Sequence, residues 1–188
     1  MERIEEYKAL LRRLLPEKRY FHSLKVAEKA EYLAKKYNCD SGKAYLAGLL
    51  HDILKYESSE KQLKLLKDGG IILTRSQKRC PETWHAFASA VYIRDALCVD
   101  DPQIFDAVFY HTTGKENMPV LTEIIYLADM ISDDRSYKEV SVLRALSEKN
   151  LDEAIKTALS MSVEFIREKN GEPCEDTLRA LEYYNGYS

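Results

Sequence analysis

Glycine and proline are scarce in this chain of 188 residues, with seven of the first and five of the second. A β-sandwich uses both at its many turns, so the composition favours helices from the outset. The formal net charge is only -3. That leaves no broad polycationic surface to hold a nucleic-acid polymer, although a local group of Lys and Arg can still bind a nucleotide. No apolar run approaches the length of a bilayer span, so no membrane partner is expected. The first residues, Met1-Glu2-Arg3-Ile4-Glu5-Glu6, are charged and lack the apolar stretch of a secretory signal. Cys39, Cys80, Cys98 and Cys174 include no C-x-x-C pair and read as reduced thiols rather than disulfide partners or zinc ligands. Together these absences predict a cytoplasmic protein. Its 45% hydrophobic and 31% charged residues suffice for one well-filled domain.

Histidine is scarce too, four in all, yet each lies in a stretch that reads as helix, on or beside its apolar stripe. In 19–37, His22, Val26, Ala30 and Leu33 recur at the helical period. A break at 38–42 precedes a helix expected over about 43–54, with Ala47, Leu50, His51 and Leu54 on one face. Its small residues Ala44, Ala47 and Gly48 would let a neighbouring helix approach closely. A charged helix over 60–68 leads to Gly69-Gly70 and an apolar run, Ile71-Ile72-Leu73, that reads as strand-like or irregular. Pro81 opens a helix carrying His85, Ala88 and Tyr92. Asp100 or Asp101 caps the next, which carries Ile104, Val108 and His111. Over 118–132, Leu121, Ile125 and Asp129 share a stripe, and the tail reads as helices over 140–149, 151–169 and 175–184. No repeat or linker interrupts the chain. The expectation is one all-α domain over 1–188, with a ligand-bearing core at about 19–135. The C-terminal helices at about 140–184 complete the bundle and the pocket.

A carboxylate on a core-facing stripe costs several kcal/mol unless it is paired or bound to a cation. Asp129 interrupts the apolar run 124–128, and Asp52 adjoins His51 in the small-residue helix. Two inward carboxylates and four imidazoles, with no evident supply of buried Lys or Arg, point to a divalent transition metal with open coordination positions.

The order His22, His51-Asp52, Asp129, on separate helices, resembles the H…HD…D signature of the HD-domain metal-dependent phosphohydrolases. Further segments are similar to the YqeK branch of that superfamily. They are His22-Ser23-Leu24-Lys25-Val26-Ala27, the run Ala47 to Lys55, Tyr110-His111-Thr112-Thr113-Gly114-Lys115-Glu116-Asn117-Met118, and Tyr126-Leu127-Ala128-Asp129-Met130-Ile131 with Arg135. The likeness spans about residues 15–180, and the H-T-T-G-x-x-N-M run is its most specific part. Where that family usually has glycine after the third histidine, this chain has Ala86. The resemblance implies an HD-domain helical bundle, His22, His51, Asp52 and Asp129 as metal ligands, and iron as the metal. It also implies symmetrical cleavage of diadenosine tetraphosphate into two ADP.

Mixed imidazole and carboxylate ligation with open positions suits Fe(II) or Mn(II) better than Zn(II). His85 and His111 either complete a second metal position, with Asp52 bridging, or hydrogen-bond the phosphates and protonate the leaving group. A dinuclear-capable site with a weaker second metal is expected. Phosphoryl transfer also demands positive charge around the phosphate oxygens. Lys55, one turn after His51, Arg135, six residues after Asp129, and Arg19, three before His22, are placed to supply it. The expected catalytic residues are therefore Asp52, Lys55, His85, His111 and Arg135. Arg19, Thr112 and Asp129 join them in holding a dinucleoside polyphosphate or an ADP-type nucleotide. Glu172, Cys174 and Thr177, around the start of the last helix, are candidate base or ribose contacts. A guanosine tetraphosphate hydrolase, a nucleotidase, a dNTP phosphohydrolase and a nucleotide-sensing binding protein are the alternatives. A homodimer is the assembly considered.

Overall fold

Amphipathic periodicity becomes helix almost wherever it occurs. The computed structural model describes residues 2–186, and its regular structure is eleven α-helices and one short 3-10 turn, with no strand among the described residues. An N-terminal helix, α1 (Glu2–Leu14), which the sequence reading left out, lays Tyr7 and Leu11 onto the two helices that follow. These are α2 (Glu17–Lys36) and α3 (Ser41–Leu50), the most extensively packed pair in the bundle. Glycine is required where they meet: a Cβ on Gly48 would lie 3.0 Å from the Ala27 Cα. Ala44 and Ala47 are fully buried on the same helix, so the small-residue stripe is a close helix contact.

Next come α4 (Ser59–Asp68), the single-turn α5 (Arg75–Lys78), a 3-10 turn at Pro81–Thr83, α6 (Trp84–Asp95) and α7 (Pro102–Phe109). Side-chain caps start several of them: Ser58 for α4, a Thr74–Gln77 capping box for α5, and Asp101 for α7. At the centre runs α8 (Val120–Ile131), in which Ile124, Ile125, Leu127 and Ala128 are all fully buried. A helix apolar nearly all round belongs inside, and α8 contacts α2, α3 and α7. The tail supplies α9 (Val140–Ser147), α10 (Leu151–Glu168) and α11 (Glu175–Gly186), with α9 and α10 against α8, and α11 against α10. None of these helices is long and apolar enough to cross a membrane.

Two boundaries differ from expectation. The helix expected through Leu54 ends at Leu50, and residues 51–56 form tightened turns with Ile53 N–H bonding to the Leu50 carbonyl and Lys55 N–H to that of Asp52. His51 and Asp52 thus sit on a turn, which still points them inward. The helix expected to carry His111 ends at Phe109, and Gly114, at φ +64, closes the loop in the left-handed region. Of the two readings open for Ile71-Ile72-Leu73, the irregular one holds, and Ile72 is 89% exposed.

Candidate metal centre

Four histidines from distant parts of the chain meet in the buried centre. His22 comes from α2, His51 and His111 from the turns just past α3 and α7, and His85 from the first turn of α6. All are buried, and successive rings stand edge to face: His22–His51 centroids are 5.5 Å apart, His51–His111 4.9 Å and His85–His111 5.4 Å.

The rings are oriented from behind. His51 Nδ1 donates to the Gly48 carbonyl at 2.7 Å, and His111 Nδ1 donates to that of Val108 at 2.7 Å. A carbonyl only accepts, so the proton of each ring is on Nδ1 and Nε2 faces the centre. His22 stands between two carboxylates, with Nδ1 at 2.8 Å from Asp134 and Nε2 at 2.8 Å from Asp129.

Asp52 is the hub. Its Oδ2 takes a 2.8 Å hydrogen bond from Arg19 and lies 3.3 Å from His51 Nε2. Its Oδ1 lies 3.1 Å from His85 Nε2, 3.5 Å from His111 Nε2 and 4.0 Å from Lys55 Nζ. Yet His51 Nε2, His111 Nε2 and Asp52 Oδ1 are fully shielded and make no properly directed hydrogen bond. Leaving one such atom unpartnered costs about 1–3 kcal/mol, and here three converge on one spot.

His22, His51 and Asp129 bring donor atoms within 4.8 Å of one another, and so do His51, Asp52 and His111. His51 belongs to both sets and joins them into one cluster. Two carboxylates balance the charge of a divalent ion, and the orphaned nitrogens and oxygen give it lone pairs to bind. The cluster fits a divalent metal.

Burial alone would raise the carboxyls of Asp52 and Asp129. The surrounding imidazoles, with Arg135 beside Asp129, hold both well below the usual carboxylate range. Burial, opposed by Asp52 and reinforced by Lys55, brings His85 down to about 4, so its ring is neutral and able to accept.

Two cations border the cluster. Lys55 donates to His85 Nε2 at 2.9 Å, and Arg135 bonds both the carboxylate and the carbonyl of Asp129. The Thr112 hydroxyl beside His111 is shielded and without a hydrogen-bond partner. The 172–177 segment docks on α5. Cys174 Sγ lies 3.8 Å from Ser76 Oγ, which also accepts the Glu175 N–H at 2.9 Å. Cys174 and Thr177 are buried there, and Glu172 is exposed.

Two residues of the site escaped the sequence reading. Asp134, which orients His22, lies in the polar run Ser132-Asp133-Asp134-Arg135, where no apolar stripe marks it. Arg144 of α9 donates to the carbonyls of Ile131, Ser132 and Arg135, clamping the segment that carries both Asp134 and Arg135.

Comparisons with known proteins agree with this geometry. Residues 19–134 match the HD domain family. The chain is 32% identical to a Bacillus subtilis protein named symmetrical bis(5'-nucleosyl)-tetraphosphatase, with 92% of each chain covered. A Staphylococcus aureus protein of the same name is 34% identical, over 97% of this chain and 94% of the relative. Among solved structures, a Clostridium acetobutylicum protein described as a predicted HD superfamily hydrolase involved in NAD metabolism superposes with a TM-score of 0.95. Its identity is 32%, and 98% of each chain is covered. The matched stretch 19–134 contains all four histidines, Asp52 and Asp129. This chain belongs to the HD domain family, in the branch that holds the symmetrical bis(5'-nucleosyl)-tetraphosphatases.

Proposed function

We propose that this protein is a metal-dependent phosphohydrolase that cleaves diadenosine tetraphosphate at its centre, giving two ADP. The observation that carries the reading is the convergence of unpartnered His51 Nε2, His111 Nε2 and Asp52 Oδ1 beside His22 and Asp129. The names of relatives that share nearly the whole chain supply the substrate. His22, His51, Asp52 and Asp129 would hold the ion, with iron favoured, manganese next and zinc least suited. When bound, a divalent ion there supplies Lewis acidity toward phosphate oxygens and a more acidic water at neutral pH.

The chain's own residues do the rest. Asp134, Gly48 and Val108 fix the rings of His22, His51 and His111, so binding needs little reorganisation. Arg135 and Lys55 supply positive charge at two edges of the cluster, where the phosphate chain would carry its negative charge. Arg19 restrains Asp52 and adds a third positive charge. With Nε2 protonated, His85 and His111 would hold phosphate oxygens or deliver a proton to the departing ADP, and the free Thr112 hydroxyl gives a further donor. Glu172, Cys174 and Thr177 would border one adenosine. The second metal position, formed by His85 and His111 with Asp52, is weaker. The Lys55 ammonium stands 2.9 Å from His85 Nε2 and must withdraw before an ion enters there. The setting is the cytoplasm.

The test pairs metal analysis of anaerobically purified protein with hydrolysis in ¹⁸O-labelled water. One labelled oxygen per two ADP, on a β-phosphate, is the expected result. AMP plus ATP, or no turnover with iron or manganese present, would leave the wider nucleotidase reading in its place.

A further inference from the structure

A groove of about 620 Å³ opens beside the cluster, between the C-terminal half of α10 and the segment linking α8 to α9. Its apolar lining comes from Met130, Met161, Tyr137 and Phe165. Phe165 is 60% exposed, too much for a core residue, and the Lys169 ammonium stands 5.8 Å from its ring centroid. The Tyr137 ring is held in place, because its hydroxyl donates to the Met130 carbonyl at 3.0 Å.

The groove and the cluster share a wall. Met130 follows Asp129 in α8, and Arg135, which lines the groove, also pairs with the Asp129 carboxylate. The other charged lining residues, Glu139, Glu164 and Glu168, are all acidic. Carboxylates repel phosphate, but they accept hydrogen bonds from ribose hydroxyls and from the amino group of adenine. Size agrees as well, since small-ligand pockets run from about 300 to 1,000 Å³. Every lining residue except Met130 lies beyond residue 134, outside the stretch matched to the HD domain family. The shared domain therefore builds the metal centre, and the C-terminal helices add this wall to it.

We propose that the groove seats one nucleoside of the dinucleoside polyphosphate, its base against Phe165 and Tyr137 and its phosphate chain leaving past Arg135. The inference rests on the diadenosine tetraphosphate reading above. Central cleavage leaves two phosphates on each nucleoside, so both ends need a seat at similar reach from the scissile bridge. The 172–177 segment is assigned one end, and the groove takes the other.

The experiment uses the metal-loaded full chain and two ligands. Diadenosine tetraphosphate has two nucleosides, and adenosine 5'-tetraphosphate, measured as a competitor, has the same phosphate chain with one. Phe165→Ala removes an exposed ring and leaves the core untouched. It should raise KM for diadenosine tetraphosphate about tenfold, the scale of one base stacked on one aromatic ring. The inhibition constant of adenosine 5'-tetraphosphate should stay within about twofold, because its single nucleoside retains the other seat. Phe165→Trp should restore the wild-type KM. Unchanged KM in Phe165→Ala, or equal weakening of both ligands, overturns the groove assignment while leaving the hydrolase reading intact. Failure of the wild-type protein to release ADP from diadenosine tetraphosphate overturns both.

Discussion

Helix α8 carries two inward carboxylates six residues apart, Glu123 buried and Asp129 half-buried, and they end in opposite states. Asp129 joins the histidine cluster and is held well below the usual range, burial being outweighed by His22, His51 and Arg135. Glu123 is driven up to about 6 by burial, which the Tyr184 hydroxyl, donating at 2.6 Å, only partly offsets, while nearby Asp152 raises it further. Burial raises both; their partners send them opposite ways. Imidazole rings and a guanidinium build a place that holds negative charge and can exchange a partner for an ion. A neutral phenol satisfies one oxygen and leaves the ionised form disfavoured. A buried acid becomes a metal-centre residue only when several nitrogen donors are aimed at the same point.

The sharpest way to break that comparison is to remove the hub. Asp52→Ala deletes the carboxylate that touches or borders His51, His85, His111, Arg19 and Lys55. Metal content should fall close to zero, and hydrolysis should drop more than about a hundredfold, beyond what loss of an outer partner usually does. Metal retained at wild-type stoichiometry would place the ion elsewhere.

A smaller effect is expected one layer out. Asp134→Ala leaves every inner donor in place and frees the His22 ring. Metal affinity should weaken about 10- to 100-fold, read by competition with a chelator. Asp134→Asn keeps an acceptor for His22 Nδ1 and should recover much of the loss. Equal affinities for wild type and Asp134→Ala would make the contact incidental.

Arg144 tests whether this outer layer depends on the C-terminal helices. Arg144→Met removes the donors to three carbonyls of the segment 131–135. Stability should fall by about 2 kcal/mol, measured by denaturant unfolding. Amide exchange should speed up locally over 132–137, and uniform exchange there would count against a clamp.

How far the sequence anticipated this arrangement follows the same division. His22, His51, Asp52 and Asp129 were legible because each polar side chain interrupts an apolar stripe, and the motif order linked them across the chain. Asp134 and Arg144 act through partners distant in sequence and sit where charged residues are ordinary, so no local pattern betrays them. The helix expected to run through Leu54 shows a related limit. Ile53 and Leu54 keep the apolar period and are buried, but they reach the core from turns with three-residue closures. Periodicity reports which side chains go inside, and the hydrogen-bonding pattern that takes them there is left open. The groove beside Arg135 was illegible for a third reason: its lining is drawn from separate segments that only tertiary packing brings together.

The last prediction turns the two states of α8 into a pH measurement. Around Glu123 stand Tyr184 and Tyr183 from α11, Asp152, Glu153 and Lys156 from α10, and Asn117 from the preceding loop. Its folded value of about 6 exceeds the ordinary 4.5, so the folded protein binds this proton more tightly than the unfolded chain. The resulting stabilisation is fully present below pH 4.5 and is lost as pH rises through about 6. The difference amounts to about 2 kcal/mol. Glu123→Gln keeps a neutral acceptor for the Tyr184 hydroxyl and cannot ionise. The variant should therefore match wild type near pH 4.5 and exceed it at pH 8 by up to about 2 kcal/mol. Unfolding of the two proteins compared at both pH values reads the effect directly, because other titrating groups are shared and cancel in the difference. A gap that is the same at both pH values would mean that Glu123 does not titrate with folding. The contrast with Asp129 would then lie only in geometry.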